Sequence, residues 1–286
     1  MPTDPIIHQP FTVAFGPVQL TGFGIAVLLG FVIGQIIGQR VLHARGHDPA
    51  PIVDIVFASV IGFLIGAKIY YALLMGDYHA LFSRGGFVFW GGLIGGIGAA
   101  LFVIKRKGLS FMRIADVGGI GIAAGYSIGR TGCWAIGDDY GRLYDGPFAV
   151  SFPNGAPPST AANMHAMFGI PIPPGMAPNT VLSVYPTQLF EVVLGFVMFG
   201  ILWRLRNHKH AEGWLFGVYM VMAGVERFIV EFFRAKDDRF FGPLTSAQVV
   251  ALGFVVAGVI WMRARDRVRA GAPGVAAARL ERHPLV

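Results

Sequence analysis

The stretch from Gly129 to Arg142 carries the residue types of this chain that are best suited to chemistry. Arg130 closes a long apolar, glycine-rich run, where a guanidinium inside a bilayer costs roughly 2.5–3.5 kcal/mol unless it has a partner or a water-filled cavity. The thiol of Cys133 and the carboxylates of Asp138 and Asp139 follow closely. Guanidinium groups bind phosphate and carboxylates serve as bases, so the stretch predicts a catalytic site. The alternatives are a small buried hydrophobe for Cys133 and exposed loop charges for the two aspartates.

A second group of charges lies on one face of a later apolar segment. Arg227, Glu231 and Arg234 are spaced i, i+4 and i+7, so one side of a helix presents all three. Because the carboxylate lies between two guanidinium groups, the stripe is net positive and suits a phosphate. A mutually neutralising ion pair with a structural role is the alternative. An anionic lipid headgroup is the ligand expected at a site where several arginines gather inside a bilayer.

Further polar residues lie within or beside apolar segments. Lys68 is a candidate for lipid binding, and the alternative is that its side chain extends along its helix toward water. Gln188 and Glu191 are spaced i and i+3, and their alternative role is to form hydrogen bonds between helices. No Cys or His spacing resembles a zinc site, so no metal ligand is predicted. The predicted catalytic residues are Arg130, Arg227, Asp138 and Glu231, and the predicted lipid- and phosphate-binding residues are Arg130, Arg227, Arg234, Lys68, Gly141 and Gln188.

The elements that must position these residues are membrane helices. The chain of 286 residues is 54% hydrophobic and 14% charged, whereas soluble domains average about 25% charged residues. Several apolar runs reach the roughly 20 residues that cross a bilayer, and lipid allows only closed hydrogen-bonding patterns such as helices. The fold class predicted is an all-α integral membrane protein with a bundle of seven helices at about 17–38, 52–75, 86–104, 114–133, 186–203, 213–233 and 245–262.

The distribution of charge predicts the orientation of this bundle. The net charge is +7, and most of the 23 lysines and arginines follow the first, third, fifth and seventh segments. Basic residues collect on the cytoplasmic side, so the N-terminus is predicted outside and the C-terminus in the cytoplasm. A basic tail beside a membrane meets anionic lipid rather than nucleic acid. We predict one membrane domain over 1–265, a basic cytoplasmic tail over 266–286, and a long outer loop over about 134–185 that forms a cap on the membrane.

Glycines at a spacing of four predict where helices approach closely. Gly91 and Gly95 lie in the third segment, and Gly121, Gly125 and Gly129 lie in the fourth. Small residues at this spacing let helix backbones pack tightly in lipid. The third and fourth segments are therefore predicted to form the tight centre of the bundle.

With these motifs in place, the chain resembles the bacterial prolipoprotein diacylglyceryl transferases, as a divergent branch of that family. The resemblance covers about 12–262, and several ordered motifs at family-like spacing make it specific. These motifs are Phe89–Gly95, Gly129–Arg142, Tyr185–Glu191, Glu226–Arg234 and Phe241–Thr245.

The resemblance implies both a fold and a reaction. Family members have seven helices with the N-terminus outside, in the bacterial inner membrane. They transfer a diacylglyceryl group from phosphatidylglycerol to the lipobox cysteine of a preprolipoprotein signal peptide and release glycerol phosphate, without a metal or nucleotide cofactor. By analogy Arg130 and Arg227 would hold the phosphate and stabilise the leaving group, and Asp138 or Glu231 would supply the base or electrostatic group.

The chain also departs from the family pattern. Family members commonly carry His where this chain has Trp90, Asn where it has Cys133, and Glu where it has Asp138. Family phenols correspond to Phe23 and Ala223 here, and a family arginine corresponds to Lys68. The alternative is therefore a non-catalytic or altered-specificity paralogue that binds anionic lipid or lipoprotein. A transporter is a third reading, but the chain shows no inverted repeat.

Overall fold

Long helices dominate this protein. The structure, a computed structural model, describes residues 4–15, 18–83, 86–235 and 239–270, and the statements below refer to them. The helices are α1 (Gly22–Ala44), α2 (Pro51–Met75), α3 (Phe89–Arg106), α4 (Phe111–Ile136), α5 (Ala161–Phe168), α6 (Thr187–Leu205), α7 (Trp214–Glu231) and α8 (Ser246–Ala270), with a 3₁₀ turn at Tyr78–Phe82.

A long helix lies in the place of every predicted segment, and five of them are long and apolar enough to cross a membrane. These five are α1, α2, α3, α6 and α8. Helices α4 and α7 carry the charged residues of the predicted site, which lowers their hydropathy. The mostly helical membrane fold is thus supported, while the count of seven spans rests on α4 and α7.

The ends of the first and last helices differ from prediction. Residues 18–21, predicted helical, form strand β3 (Val18–Thr21), which pairs antiparallel with β2 (Thr12–Phe15). Helix α1 starts only after Thr21, whose side chain accepts a hydrogen bond from the Gly24 amide. Helix α8 continues to Ala270 through the first residues of the predicted tail, and the remainder of 266–286 lies outside the described residues.

The glycine spacing marks close helix contacts, but the third and fourth segments, predicted to form the tight centre of the bundle, make these contacts with two other helices. A Cβ on Gly62 of α2 would lie 2.5 Å from the carbonyl oxygen of Gly95 in α3. A Cβ on Gly30 of α1 would lie 2.8 Å from the carbonyl oxygen of Gly125 in α4. The glycines therefore join α2 to α3 and α1 to α4, because spacing identifies a smooth face without identifying its partner.

Helix α4 passes through the main apolar core. Val117, Ile120 and Ala123 are fully buried, and Leu202 of α6 and Leu215 of α7 pack into the same cluster. Helix α8 covers α7, where a Cβ on Gly258 would lie 2.7 Å from the carbonyl oxygen of Gly217. These contacts bring the charged parts of α4, α6 and α7 to one place.

The segment between α4 and α6, predicted as an outer loop, folds around a core of its own. Strand β4 (Val150–Ser151) pairs parallel with β1 (Ile6–Ile7) and antiparallel with β5 (Ser183–Val184). Val150 and Met164 are buried in this small core with Phe152, whereas Phe148 is exposed. The segment is thus a small packed unit rather than a plain loop. A short pair, β6 (Arg239–Phe241) and β7 (Leu244–Thr245), precedes α8.

We predict that Gly95→Val destabilises the protein, because the new Cβ would lie 3.0 Å from the Cα of Gly66 and closer still to the carbonyl oxygen of Gly62. Overpacking typically costs about 1–3 kcal/mol. The measurement is the thermal unfolding temperature of the purified protein in detergent. The matched control is Gly98→Val on the same helix, where a Cβ meets nothing within 4 Å. Equal unfolding temperatures for the two variants would contradict the α2–α3 contact.

Candidate functional site

Arg130 lies near the end of α4, with its side chain only 13% exposed. Its Nη1 donates to Asp139 Oδ2 at 2.9 Å and to the sulfur of Cys133 at 3.3 Å, and its Nη2 forms a close ion pair with Glu191. Its buried Nε has no hydrogen-bond partner among the described residues. Arg130 therefore has the partners that a buried guanidinium requires, and its Nε–H remains available to a further acceptor.

Glu191 of α6 is the carboxylate on which the arginines converge. Its side chain is 3% exposed. Besides its contact with Arg130, its Oε1 lies 3.8 Å from Arg227 Nη1 and 4.0 Å from Arg234 Nη1. One buried carboxylate thus holds three guanidinium groups from different parts of the chain in one cluster.

The three charged residues predicted on one helix face, Arg227, Glu231 and Arg234, do lie close together, although Arg234 is beyond the end of α7. Arg227 Nη2 lies 2.6 Å from Glu231 Oε2, one turn further along α7. Arg234 lies beyond the end of α7, and it reaches Asp139 Oδ1 at 3.1 Å and Glu231 Oε2 at 3.9 Å. Each arginine is paired with at least one carboxylate, so the cluster is close to neutral rather than a bare positive stripe.

Tyr126 connects two buried carboxylates. Its hydroxyl lies 3.0 Å from Glu226 Oε1 and 3.3 Å from Glu191 Oε1. Glu226 precedes Arg227 by one residue on α7, about 100° around the helix, and faces α4. Tyr126 thus contacts the same Oε1 of Glu191 that faces Arg227 and Arg234, and links this oxygen to Glu226.

The pKa values of Asp138 and Asp139 are shifted in opposite directions, although the two residues are neighbours in sequence. Burial would raise the pKa of Asp139, but the guanidinium groups of Arg234 and Arg130 hold it below its ordinary value. Burial, together with the charge of Asp139, raises the pKa of Asp138 to about 6. Asp138 Oδ1 is buried and has no hydrogen-bond partner in the described part of the chain. Asp138 is therefore suited to accept a proton, and Asp139 is suited to remain charged.

The backbone that carries these aspartates is held by α6. Gln188 is fully buried, and its Nε2 donates to the carbonyl oxygen of Asp138 at 2.5 Å. The hydroxyl of Thr187 donates to the carbonyl oxygen of Asp139 at 2.7 Å. Gln188, predicted to bind lipid, thus positions the acidic pair in this structure.

Gly141 occupies a position that leaves no room for a side chain. Its amide donates to the carbonyl oxygen of Tyr185 at 2.8 Å, and it forms an isolated β-bridge with Arg234. A Cβ here would lie 2.7 Å from Tyr185 Cβ and would clash with the carbonyl oxygen of Phe233. This glycine therefore sets how closely the acidic turn approaches Arg234.

Lys68 makes its described contacts away from the arginine cluster. Its Nζ donates to the carbonyl oxygen of Ser83 at 2.5 Å and to the Ser83 hydroxyl at 3.1 Å. The ammonium also lies 4.7 Å from the centre of the Phe87 ring. The structure thus ties Lys68 to the chain segment between α2 and α3.

Cys133, Asp138 and Asp139 present ligand atoms within 4.8 Å of one another. Asp139 already binds the guanidinium groups of Arg130 and Arg234. A cation among these ligands would have to displace or repel two positive charges, so the surroundings favour arginine over a metal ion.

An apolar cavity of about 300 Å³ lies between α6 and α7, the two helices that carry Glu191 and Arg227. It is lined from α6 and α7 by Phe190, Val193, Leu194, Ile229 and Val230, and by Phe233 just beyond α7. Phe190 and Val230 each adjoin a charged residue of the cluster in sequence. The site therefore combines guanidinium groups with an apolar groove, which suits a molecule with a charged head and hydrocarbon chains.

The sequence leaves the roles of three of these residues open. The spacing of Glu191 also fits a plain hydrogen bond between helices, Asp139 also fits an exposed loop charge, and Tyr126 lies outside the motifs. A signal existed for Tyr126, because it precedes Arg130 by four residues and so shares its helix face. The contacts of Glu191 and Asp139 depend on helix packing and could not be read from spacing.

The fold and the site together define a helical membrane protein with a cluster of arginines and carboxylates beside an apolar groove. The sequence profile of the family described as prolipoprotein diacylglyceryl transferase matches residues 10–264. This chain belongs to the prolipoprotein diacylglyceryl transferase family.

Individual relatives agree over most of their length. The phosphatidylglycerol–prolipoprotein diacylglyceryl transferase of Stenotrophomonas maltophilia is 30% identical over 270 residues, covering 88% of this chain and 90% of the relative. The enzyme of the same name from Nitratidesulfovibrio vulgaris Hildenborough is 29% identical over 273 residues, covering 89% and 93%. That of Vibrio atlanticus is 29% identical over 269 residues, covering 89% of each chain.

We predict that Glu191→Gln lowers the free energy of unfolding by about 3 kcal/mol, because a buried guanidinium cluster loses its shared counter-charge. The measurement is thermal or denaturant unfolding of the variant in detergent. Asp54→Asn is the control, since Asp54 pairs with Lys107 at 2.7 Å with both side chains largely exposed, and such a pair contributes less than about 1 kcal/mol. Equal losses in the two variants would show that Glu191 has no special role in the cluster.

Proposed function

We propose that this protein transfers the diacylglyceryl group of phosphatidylglycerol to the lipobox cysteine of a preprolipoprotein signal peptide and releases glycerol phosphate. The observation that carries the proposal is the convergence of Arg130, Arg227 and Arg234 on one buried carboxylate beside an apolar groove. Family membership and the names of the relatives support the same reaction.

The exposure of the arginines supports a division of labour among them. The side chain of Arg227 is 33% exposed, against 13% for Arg130, so Arg227 meets the lipid phosphate first. Glu231 orients Arg227 from behind through its contact at 2.6 Å. The acyl chains lie along the apolar groove between α6 and α7, which keeps the headgroup at the cluster.

The reaction exchanges one bond for another at a glycerol carbon. The cysteine thiolate attacks the carbon that bears the phosphate ester oxygen, a C–S bond forms, and the C–O bond breaks. The electron pair leaves with the glycerol phosphate, whose growing charge Arg227 and Arg130 stabilise. Electrostatic stabilisation of this kind is usually the largest single contribution to catalysis.

The thiol proton needs an acceptor, since the thiolate is the nucleophile. Asp138 suits this role because its pKa is raised to about 6 and one of its oxygens has no partner in the described structure. Glu231 is less suited as a base, because its carboxylate is already paired with Arg227. No cofactor enters this scheme.

The proposal also covers the membrane topology and the localisation of the protein. Helices α4 and α7 complete a bundle of seven spans, with their charges facing one another rather than lipid. The basic residues that follow α1, α3, α6 and α8 favour an outer N-terminus and a cytoplasmic C-terminus in a bacterial inner membrane. One membrane domain over 1–265 and a basic tail over 266–286 fit this arrangement, and the bilayer supplies the lipid substrate.

The direct test is release of glycerol phosphate from phosphatidylglycerol by the purified protein with a lipobox peptide. We expect release with a cysteine peptide and none when serine replaces that cysteine. We expect Arg227→Gln to lower kcat/KM at least about 100-fold, since it removes a charge-stabilising donor. Lys68→Gln should have a much smaller effect. Full activity in Arg227→Gln would rule out the proposed phosphate site, and binding of both substrates without release would indicate a non-catalytic relative.

We also predict that kcat/KM falls as pH decreases through about 6, because Asp138 must be ionised to accept the proton. Asp138→Asn should lower the rate and remove this limb, while Asp138→Glu should restore it. The measurement is a pH–rate profile of the wild type and both variants. Ionisation of the peptide thiol gives a separate limb near its pKa of about 8.5, which all variants share. Asp145→Asn, an exposed carboxylate of the outer segment, is the control. An unchanged acidic limb in Asp138→Asn would exclude this residue as the base.

A further inference from the structure

A second cavity, lined by polar residues, lies at the opposite end of α4 from the arginine cluster. It has a volume of about 230 Å³ and is lined where α1 and α6 end and where the connection to α7 runs. Asp116 of α4 forms part of its wall. Asp116 and Arg130 are separated by fourteen residues of one helix, which corresponds to about 21 Å along its axis. The cavity is therefore separate from the site of the proposed reaction.

Two guanidinium groups are held in place at this cavity by the end of α6. Arg45 Nη2 donates to the carbonyl oxygen of Arg206 at 2.6 Å. Arg206 Nη1 donates to the carbonyl oxygen of Trp203 at 2.6 Å, and its guanidinium stacks 4.4 Å from the centre of the Trp203 ring. Groups fixed in this way lose little freedom when an anion binds.

The two carboxylates of the cavity are already engaged by the protein. Asp116 accepts from the amides of Gly213 and Phe216, each at 2.9 Å, and so caps the start of α7. Glu212 accepts from the hydroxyl of Ser110 at 2.8 Å and from Arg113 Nε at 2.7 Å. Asp116 Oδ2 also lies 3.7 Å from Arg45 Nη1, and Arg113 offsets the charge of Glu212. The excess positive charge of the cavity is therefore that of Arg206, with the guanidinium of Arg45 beside it.

His208 supplies an independent sign of a ligand. Its side chain is only 7% exposed and lines the cavity, yet within the described ranges neither ring nitrogen has a hydrogen-bond partner. Its Nε2 lies 3.4 Å from Asp116 Oδ2, and its ring packs 5.4 Å from that of Trp214. Since Nε2 faces Asp116, Nδ1 is the ring nitrogen available to a bound group, and buried polar groups are normally hydrogen-bonded.

The depth of the cavity indicates what that group is. Arg45 directly follows the apolar span Gly22–Ala44, and Arg206 directly follows Thr187–Leu205. Both guanidinium groups therefore lie where a helix leaves the hydrocarbon, at the level of lipid headgroups. We propose that this cavity binds the phosphate group of an anionic phospholipid through Arg45, Arg206 and His208. Basic pockets between membrane helices at this level are typical headgroup sites.

The test measures binding of phosphatidic acid to delipidated protein by native mass spectrometry. All measurements use an Arg227→Gln background, which weakens phosphate binding at the proposed catalytic site and keeps the Arg130–Glu191 contact in place. Arg206→Gln should weaken binding about fivefold, the effect of one basic group near a membrane surface. His208→Gln should weaken it in the same direction. Arg204→Gln is the matched control, because it removes an exposed charge from the same helix end without touching the cavity.

Separate titrations distinguish the sources of the phosphate. Phosphatidylcholine should bind weakly, and inorganic phosphate should compete only at much higher concentration than phosphatidic acid. Equal affinity for inorganic phosphate and phosphatidic acid would overturn the lipid assignment in favour of a soluble phosphate. Affinities in Arg206→Gln and His208→Gln equal to that of Arg204→Gln would overturn the site itself. Unfolding temperatures of all variants separate loss of binding from loss of fold.

Discussion

The burial of Arg130 is the constraint on which the rest of this structure depends. A guanidinium inside a membrane protein is tolerated only with partners, and Arg130 obtains them from two places that are far apart in sequence. Glu191 comes from α6, and Asp139 comes from the turn after α4. Since Glu191 also approaches Arg227 and Arg234, one carboxylate fixes the relation of α4, α6 and α7.

Close backbone packing makes this arrangement possible. Gly30 and Gly125 bring α1 against α4, and Gly195 on α6 lies against Ser127 of α4 so closely that a Cβ would clash. Side chains of ordinary size at these positions would push the helices apart and separate the ion pairs. The glycines are therefore part of the electrostatic design, because charge pairing in a low-dielectric environment depends steeply on distance.

The sequence was sufficient to predict the long helices and the charged residues that meet, since hydropathy and residue type are local properties. It could not predict which glycine face packs on which helix, so the third and fourth segments, expected at the tight centre of the bundle, pack closely on α2 and α1 respectively. It also could not show that Gln188 holds the backbone of Asp138, or that Val150 and Met164 form a core of their own. These features arise from chain segments that meet only after folding, and periodicity carries no record of them.

Helix α4 explains why the charges of α7 are placed where they are. Near its start, Asp116 accepts the first amides of α7, and near its end Arg130 joins Arg227 through their common partner Glu191. The two helices are thus tied at both ends by polar contacts, with an apolar core between them. Contacts at both ends fix how far α7 can slide along α4, and so they fix the distance of Arg227 from Glu191. The charged residues of α4 and α7 are therefore the means by which the two helices are held in register.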